Sequence, residues 1–415
     1  MDYFIIGILG SGTKALASLL LEMGHNVIGV DIEEAILEYK GKIKVSDIRF
    51  CKPQRKYFYI YGNAFKNHPL TILIKNLGYD VLSYKEFLNQ LPFKTKIQVS
   101  ASHGKTFTTS VLAHMLGSSR LVGDGSAKYQ NDLEFVYEGC EYQNSFLSYH
   151  PDILLILNVD YDHVDFFKTR DAYFNAFKLA SKNASSLIIE ASIKIDHSNK
   201  HTFSLVNEKA ELYGKIIDQN DLYSIISLTY KGITKEIKSP FITRYENENL
   251  LGALLVGLLL GRHLNELMGR LKSFKRPKRR MNTRIINGHY LILDYAHHPT
   301  QIEALYTYVD NKYPSMKKVI IYEGHTLSRS LYFMNEYKSA LSKFDKVFLF
   351  PIYYAREEKS KEERRYYKEL KFSKYQLKRL ANILKEKNNV LIFAGAGKID
   401  LEFENVCRFI LNSKI

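Results

Sequence analysis

Short apolar runs alternate with polar, periodic stretches along the whole chain, a pattern typical of strands and helices that follow one another. Four apolar runs at the start of the chain predict strands: residues 3–9, 27–30, 57–62 and 79–84. Between the first two, residues 13–23 repeat apolar positions at helical spacing. A strand, a glycine turn, a helix and a second strand ending in Asp31 predict a Rossmann-like domain, which we expect over residues 1–94.

A second unit opens with a strand-like run at 97–100, a Gly-Lys-Thr turn and a helix-like stretch. Residues 152–159, DILLILNV, predict a buried parallel strand because the run is almost continuously apolar. Residues 246–261 predict a buried helix, too short and too polar at its start to span a bilayer. We expect a central P-loop ATPase-like domain over residues 95–277, followed by the rest of a basic linker.

Four further strand-like runs begin at residue 290, each before a polar, helix-compatible segment: YLILDYA, VIIYEG, KVFLFPIYY and VLIFAGAG. With right-handed crossovers they predict a doubly wound parallel sheet in a Rossmann-like C-terminal domain over residues 278–415. Ligands of such sheets lie at the carboxyl ends of the strands, where we expect Asp294, Glu323, Pro351 and Gly395. The predicted fold class is therefore α/β with three domains.

Composition places the chain among folded cytoplasmic proteins. Of its 415 residues, 46% are apolar and 25% charged, and glycines or charges interrupt the apolar runs before they reach the length of a membrane span. Cys51, Cys140 and Cys407 are far apart and odd in number, which predicts reduced thiols. We expect neither export nor a membrane span.

The net charge of +15 is compatible with nucleic acid, an acidic surface or small polyanionic substrates as partners. The sequence shows no interleaving of aromatic and basic residues and no nucleic-acid reader motif. We therefore expect no nucleic-acid partner, which leaves small polyanions as the main interpretation of the charge.

The most specific local signal is SASHGKT at 100–106, between a predicted strand and a predicted helix. There backbone amides and the helix N-terminus can hold triphosphate oxygens, Lys105 can neutralise them, and the Thr106 hydroxyl can bind magnesium. The common phosphate loop has glycine where this chain has Val99. By themselves these residues fit either a phosphate loop or an ordinary strand-to-helix turn.

Several motifs in the same order along the chain resemble those of the Mur ligase family, nearest to its alanine-adding members. The matching segments are 101–107 (ASHGKTF), 135–142 (FVYEGCEY), 158–165 (NVDYDHVD), 279–282 (RRMN), 294–299 (DYAHHP), 325–329 (HTLSR), 355–357 (ARE) and 395–397 (GAG). The resemblance implies ATP-dependent ligation of L-alanine to UDP-N-acetylmuramate through an acyl phosphate, in peptidoglycan precursor synthesis. The alternatives are a recycling ligase that adds a tripeptide to the same sugar nucleotide and a catalytically silent binding protein.

The resemblance also assigns roles to individual residues. It implies catalytic roles for Lys105, Glu141, His163, His298 and Arg329. It implies ATP contacts for Ser102, His103, Gly104, Lys105, Thr106, Phe107, Asn249, Arg280 and Asp294. It implies magnesium ligation by Thr106, Glu141 and His163, and contacts with the UDP-sugar by Gly10, Ser11, Gly12, Asp31 and Asn63. His298 and Arg329 would face the amino-acid substrate, and the enzyme would be a monomer or a weak homodimer.

Plainer interpretations remain for single residues. Taken alone, Glu141 is compatible with a solvated carboxylate, His163 with a structural histidine and Asp31 with a strand-end cap. The turn containing Gly10 and Gly12 superficially resembles a dinucleotide fingerprint, but its G-x-x-G-x-G spacing differs from the G-x-G-x-x-G of NAD proteins. The run 275–280 is typical of a solvated linker between domains.

The chain departs from the family pattern at positions close to the expected nucleotide site. Ala101 and Arg276 replace usual glycines, Glu248 a usual histidine and Gly252 a usual asparagine. If Ala101 needs a positive φ, the strain is about 1 kcal/mol. We expect Glu248 and Gly252 to lie beside the adenine pocket and to affect nucleotide affinity.

Overall fold

The computed structural model describes residues 1–38, 41, 43–355 and 357–412. Within these ranges the chain forms three sheets, built from successive stretches of sequence and covered by helices. The three-domain α/β fold class predicted from the sequence is therefore confirmed. No helix in the described part of the chain is both long and apolar enough to cross a bilayer.

The first sheet is parallel, with strand order β3-β2-β1-β4-β5. Its strands are β1 (Asp2–Ile6), β2 (Asn26–Asp31), β3 (Lys44–Asp47), β4 (Phe58–Tyr61) and β5 (Val81–Ser83). Its helices are α1 (Ser11–Glu22), α2 (Glu33–Glu38), α3 (Pro69–Asn76) and α4 (Tyr84–Gln90). The four predicted strands are confirmed. The edge strand β3 was missed because its sequence, KVSD, has no apolar run.

The second sheet has ten strands in the order β15-β14-β13-β12-β11-β10-β6-β9-β7-β8. Strands β6 (Thr95–Ser100), β7 (Ser119–Leu121), β9 (Glu134–Glu138), β10 (Ile153–Ile156), β11 (Ser186–Glu190), β12 (Lys200–Ser204) and β13 (Leu212–Gln219) run parallel. Strands β8 (Ala127–Lys128), β14 (Ser224–Tyr230) and β15 (Ile233–Ser239) add antiparallel edges. The helices are α5 (Lys105–Leu116), α6 (Arg170–Ser181), α7 (Arg244–Leu259) and α8 (Leu264–Leu271).

Two features of this sheet position the candidate site. Strand β6 lies between β9 and β10, so the loops that follow all three strands meet at one edge of the sheet. Helix α7 begins after Thr243, whose hydroxyl accepts a hydrogen bond from the Glu246 amide at 3.1 Å, and its apolar body is buried against the sheet, as predicted.

The third sheet has the order β16-β17-β21-β18-β19-β20. Its strands are β16 (Asn282–Ile286), β17 (His289–Asp294), β18 (Lys317–His325), β19 (Lys346–Tyr353), β20 (Ser373–Lys374) and β21 (Asn389–Ala394). Its helices are α9 (Pro299–Lys312), α10 (Leu327–Tyr332), α11 (Met334–Leu341), α12 (Glu363–Leu370), α13 (Leu377–Ile383) and α14 (Ile399–Asn412). The four predicted parallel strands are confirmed.

Two details of this sheet differ from the prediction. Strand β16 is antiparallel and joins β17 through Asn287-Gly288, both with positive φ, the typical dipeptide of a tight hairpin. Glu323 and Pro351 lie inside β18 and β19, each two residues before the last residue of the strand, whereas Asp294 ends β17 and Gly395 follows β21. The largest cluster of buried apolar side chains runs through all three units, from Leu16 to Phe146 to Tyr337, and holds them together.

Candidate active site

The loop between β6 and α5 has the backbone geometry of a phosphate cradle. Gly104 stands before the first helical residue with φ 87° and ψ −3°, a left-handed conformation that favours glycine. No side chain caps the start of α5, so its first amides remain directed out of the helix. A Cβ on Gly104 would lie 2.6 Å from the Asn249 amide nitrogen and would also collide with the Tyr245 hydroxyl. Only glycine fits this position.

Ala101, at the start of the loop, is not strained. It lies outside the left-handed region and is fully buried in the apolar core beneath the loop, next to α5. The condition for strain, a positive φ at Ala101, is therefore not met.

Lys105, Glu141 and His163 come together at the carboxyl ends of three neighbouring strands. The Lys105 ammonium donates to Glu141 Oε2 at 2.7 Å and to the Ala101 and Ser102 carbonyls. The other carboxylate oxygen of Glu141 lies 3.0 Å from His163 Nε2. Burial alone would raise the pKa of Glu141, but Lys105 and His163 together lower it. Glu141 is therefore a buried, charged and paired carboxylate rather than a solvated one.

Glu138 is a second carboxylate at this edge, and no role was predicted for it from the sequence. It ends β9 opposite Val99, and its Oε1 accepts a hydrogen bond from the Gly123 amide at 2.7 Å. Burial raises its pKa, and the Gly123 amide, the Lys105 charge and a hydrogen bond from the Thr106 hydroxyl partly offset that rise. The motif FVYEGCEY contains this glutamate as well as Glu141, and that signal was available from the sequence.

The residues present fit a magnesium-bound nucleoside triphosphate. The loop offers uncapped amides, the Lys105 ammonium and, in His103, two buried ring nitrogens that have no hydrogen-bond partner among the described residues. The Thr106 hydroxyl and the carboxylates of Glu138 and Glu141 supply the hard oxygen atoms that Mg²⁺ prefers. In the described part of the chain no three His, Cys, Asp or Glu side chains form a ready metal-binding group.

A cleft of ≈ 170 Å³ opens beside the loop, between the central and C-terminal sheets. His103, Gly104, Phe107, Arg280 and Asp294 line it, as expected for nucleotide contacts. The buried Asn249 lies against Gly104, at the loop rather than in the cleft.

Two predicted nucleotide contacts also hold the local backbone. The Asp294 carboxylate accepts the amides of Met281 at 2.9 Å and Ala296 at 2.8 Å, so it fastens the linker to the end of β17. The Ser102 hydroxyl donates to the Asp160 carbonyl at 2.6 Å.

Two departures from the family pattern are not in this cleft. The side chain of Glu248 lies near Glu190, and burial together with that negative charge raises its pKa. A Cβ on Gly252 would meet Phe203 and Leu155 in the core of the sheet. Arg276, expected to be solvated, lines the cleft instead.

His298 and Arg329 face the central unit rather than an open amino-acid pocket. Arg329 is buried, and its guanidinium holds the carboxylate of Asp162 through Nε–Oδ1 and Nη2–Oδ2 contacts of 2.6 and 3.1 Å. The ring of His298 lies 4.5 Å from that of His103. In this arrangement Arg329 is paired with Asp162 within the chain, and the roles of Arg329 and His298 toward the amino-acid substrate stay a prediction. Arg356, in the matched ARE segment, lies outside the described residues.

The N-terminal glycine turn also precedes a helix without a side-chain cap. Gly10 stands before the first residue of α1, and Ser11 and Gly12 form its first turn. The Asp31 carboxylate accepts the amides of Leu9 at 2.7 Å and Ile32 at 2.9 Å, so it fixes the turn, as in its plainer interpretation as a cap. Asn63 begins a short 3₁₀ helix after β4.

Comparison with known proteins agrees with this architecture. Residues 99–257 match the family model of the Mur ligase middle domain. The fold is similar to that of UDP-N-acetylmuramate-alanine ligase MurC from Thermotoga maritima, with a TM-score of 0.77, 22% identity and 99% of each chain covered. A murein peptide ligase from Psychrobacter arcticus matches with a TM-score of 0.67, 17% identity and 100% of each chain covered.

A third solved structure has a similar fold. The pseudomurein peptide ligase type C from Methanothermus fervidus matches with a TM-score of 0.68 and 15% identity, covering 98% of this chain and 99% of that chain. The resemblance found in the motifs is confirmed: the chain carries the Mur ligase middle domain at its centre and has the three-domain fold of the Mur ligase family.

Proposed function

We propose that the chain is an ATP-dependent ligase that joins L-alanine to the carboxylate of UDP-N-acetylmuramate. The observation that carries the proposal is the meeting of Lys105, Glu141 and His163 at the phosphate-loop edge of a Mur ligase middle domain. The similarity of the whole chain to the alanine-adding ligase of Thermotoga maritima supports this choice of substrates.

The proposed chemistry needs two anions brought together. Transfer of the γ-phosphoryl group to the sugar-nucleotide carboxylate gives an acyl phosphate, which the alanine amine then attacks with loss of phosphate. Lys105 would neutralise the transferred phosphoryl group, and the loop amides would hold the remaining phosphates. Mg²⁺ bound by Thr106, Glu141 and His163 would further neutralise the negative charge of the phosphate and of the substrate carboxylate.

Each of the three units would bind a different substrate. We assign the UDP-sugar to residues 1–94, ATP to residues 95–277 and the amino acid to residues 278–415. Gly10, Ser11 and Gly12 would bind the diphosphate through the amides at the start of α1. A Cβ on Gly125 of the central unit would lie 3.6 Å from the Ser11 carbonyl, so the first glycine turn lies against the β7–β8 turn of the central unit.

The deciding experiment measures phosphate release from ATP in the presence of UDP-N-acetylmuramate. One reaction contains L-alanine and a second contains the L-Ala-γ-D-Glu tripeptide. Release with L-alanine alone supports the proposal, and release with the tripeptide alone identifies the recycling activity. Release with neither, in a preparation that binds the sugar nucleotide, would identify a catalytically silent homologue.

A further inference from the structure

Arg276 lies in the linker between α8 and β16, where the sequence predicts a solvated side chain. In the structure only 25% of the side chain is exposed. Both terminal nitrogens of its guanidinium contact the carboxylate of Glu246 in the first turn of α7, with Nη2–Oε2 at 3.3 Å. Glu246 is itself buried. The guanidinium is therefore charged, and its plane is held in one orientation.

The same guanidinium packs on two aromatic rings. Its central carbon lies 5.8 Å from the ring centroid of Phe107, in the first turn of α5, and 5.4 Å from that of Phe241. Both distances lie within the range of cation–π contacts. Arg276 also lines the cleft beside the phosphate loop, together with Gly104 and Asp294.

We propose that the guanidinium of Arg276 stacks on the purine base of ATP and so determines nucleotide affinity. The inference rests on the proposed function. The cleft begins at the phosphate loop, so a triphosphate held by the loop directs its nucleoside into it. A planar guanidinium stacks on the face of a nucleobase, while an ammonium group lacks the plane to do so. Glycine, the usual residue of the family at this position, offers no such surface.

The test compares ATP with inorganic tripolyphosphate, which carries the phosphates without the base, by calorimetry on the full-length chain. Arg276→Lys retains the positive charge beside Glu246 but loses the plane. We expect its ATP affinity to fall about tenfold, the loss of one stacked base, while its tripolyphosphate affinity changes less than about twofold. Arg244→Lys, on the exposed start of α7, is the control and leaves both affinities unchanged.

The outcomes separate this inference from the proposed function. Equal losses for both ligands would show that Arg276 only maintains the loop, and unchanged ATP affinity would show that it does not touch the base. Either result overturns the inference while the ligase assignment stands. A wild-type chain that binds tripolyphosphate but not ATP overturns both. If Arg276→Lys does not fold, the pair Arg276→Met with Glu246→Gln removes the plane without leaving a buried charge, and the same two affinities decide.

Discussion

Arg329 and Asp162 form a two-point ion pair between the C-terminal and central units, with Nε–Oδ1 2.6 Å and Nη2–Oδ2 3.1 Å. Their side chains are only 2% and 3% exposed. Burial alone would raise the pKa of Asp162, but the Arg329 charge holds it well below its usual range. The pair therefore fixes the C-terminal unit against the loop that carries His163. An amino-acid carboxylate can bind Arg329 only by displacing Asp162.

Asp162→Asn should destabilise the protein by about 3–5 kcal/mol, because it leaves the Arg329 charge buried without its partner. Urea unfolding monitored by circular dichroism measures this loss. The control is Glu404→Gln in the Arg284–Glu404 pair, which has similar two-point geometry but is nearly half exposed. That change should cost under about 1 kcal/mol. Equal losses from the two variants would contradict a special role for the buried pair.

Acid should loosen the contact between His103 and His298. Burial lowers the pKa of His298 to about 4. Burial also lowers the pKa of His103 well below its usual value, and repulsion from a proton on His298 lowers it further. In the unfolded chain both rings take up protons near pH 6.5, whereas in the folded chain they stay neutral at that pH. The free energy of unfolding is therefore unaffected by these rings above pH 6.5 and falls as the pH drops towards 4. His298→Phe should make the urea midpoint less dependent on pH between 7.5 and 5. An unchanged pH dependence would remove His298 as the cause.

Lys105→Met should reduce phosphate release by at least about a hundredfold, because it removes a preorganised charge from the transferred phosphoryl group. It should also lower the free energy of unfolding, because Glu141 is buried and Lys105 is the only lysine among the described residues that forms an ion pair with it. Adding Glu141→Gln should restore stability without restoring turnover. A double variant with recovered turnover would show that Lys105 matters for folding rather than for chemistry.

The alternation of apolar and polar residues was sufficient to predict most parallel strands, because strands buried on both faces leave a continuous apolar run. Strand β3 and the hairpin strand β16 were not predicted, because they are edge strands with mixed or exposed side chains. In the site, the resemblance to the Mur ligase family pointed to the loop 101–107 and to Glu141 and His163, which the structure brings together beside that loop.

Side-chain partners far apart in the sequence could not be predicted from the pattern. Arg276 has a linker sequence around it, and its contacts with the distant Glu246, Phe107 and Phe241 are made within the folded central unit. Likewise nothing in the sequence near Arg329 indicates that it pairs with Asp162 of another unit. Both sets of contacts depend on tertiary packing, which a periodic pattern does not encode.

Glu138→Gln should raise the magnesium concentration needed for half-maximal phosphate release several-fold. The carboxylate accepts the Gly123 amide and the Thr106 hydroxyl, so its charge helps to orient the predicted magnesium ligand. Glu134→Gln, on the same strand but paired with Arg262, is the control and should leave the magnesium requirement unchanged. Equal magnesium curves for wild type and Glu138→Gln would limit Glu138 to a structural role.

The sharpest test of the loop compares two glycines with similar backbone conformations. Gly104 has φ 87° and Gly261 has φ 79°, so alanine costs each position about 1 kcal/mol of backbone strain. A Cβ at Gly261 meets nothing within 4 Å, whereas at Gly104 it lies 2.6 Å from Asn249 Nδ2 and collides with the Tyr245 hydroxyl. Gly261→Ala should therefore lower stability by about 1 kcal/mol and leave tripolyphosphate binding intact. Gly104→Ala should additionally weaken that binding at least about tenfold, because the methyl group must displace Tyr245 and Asn249 or shift the loop. Tyr245→Phe in the Gly104→Ala background removes one colliding oxygen and should recover part of the affinity. Full tripolyphosphate affinity in Gly104→Ala itself would contradict the assignment of this loop as the phosphate site.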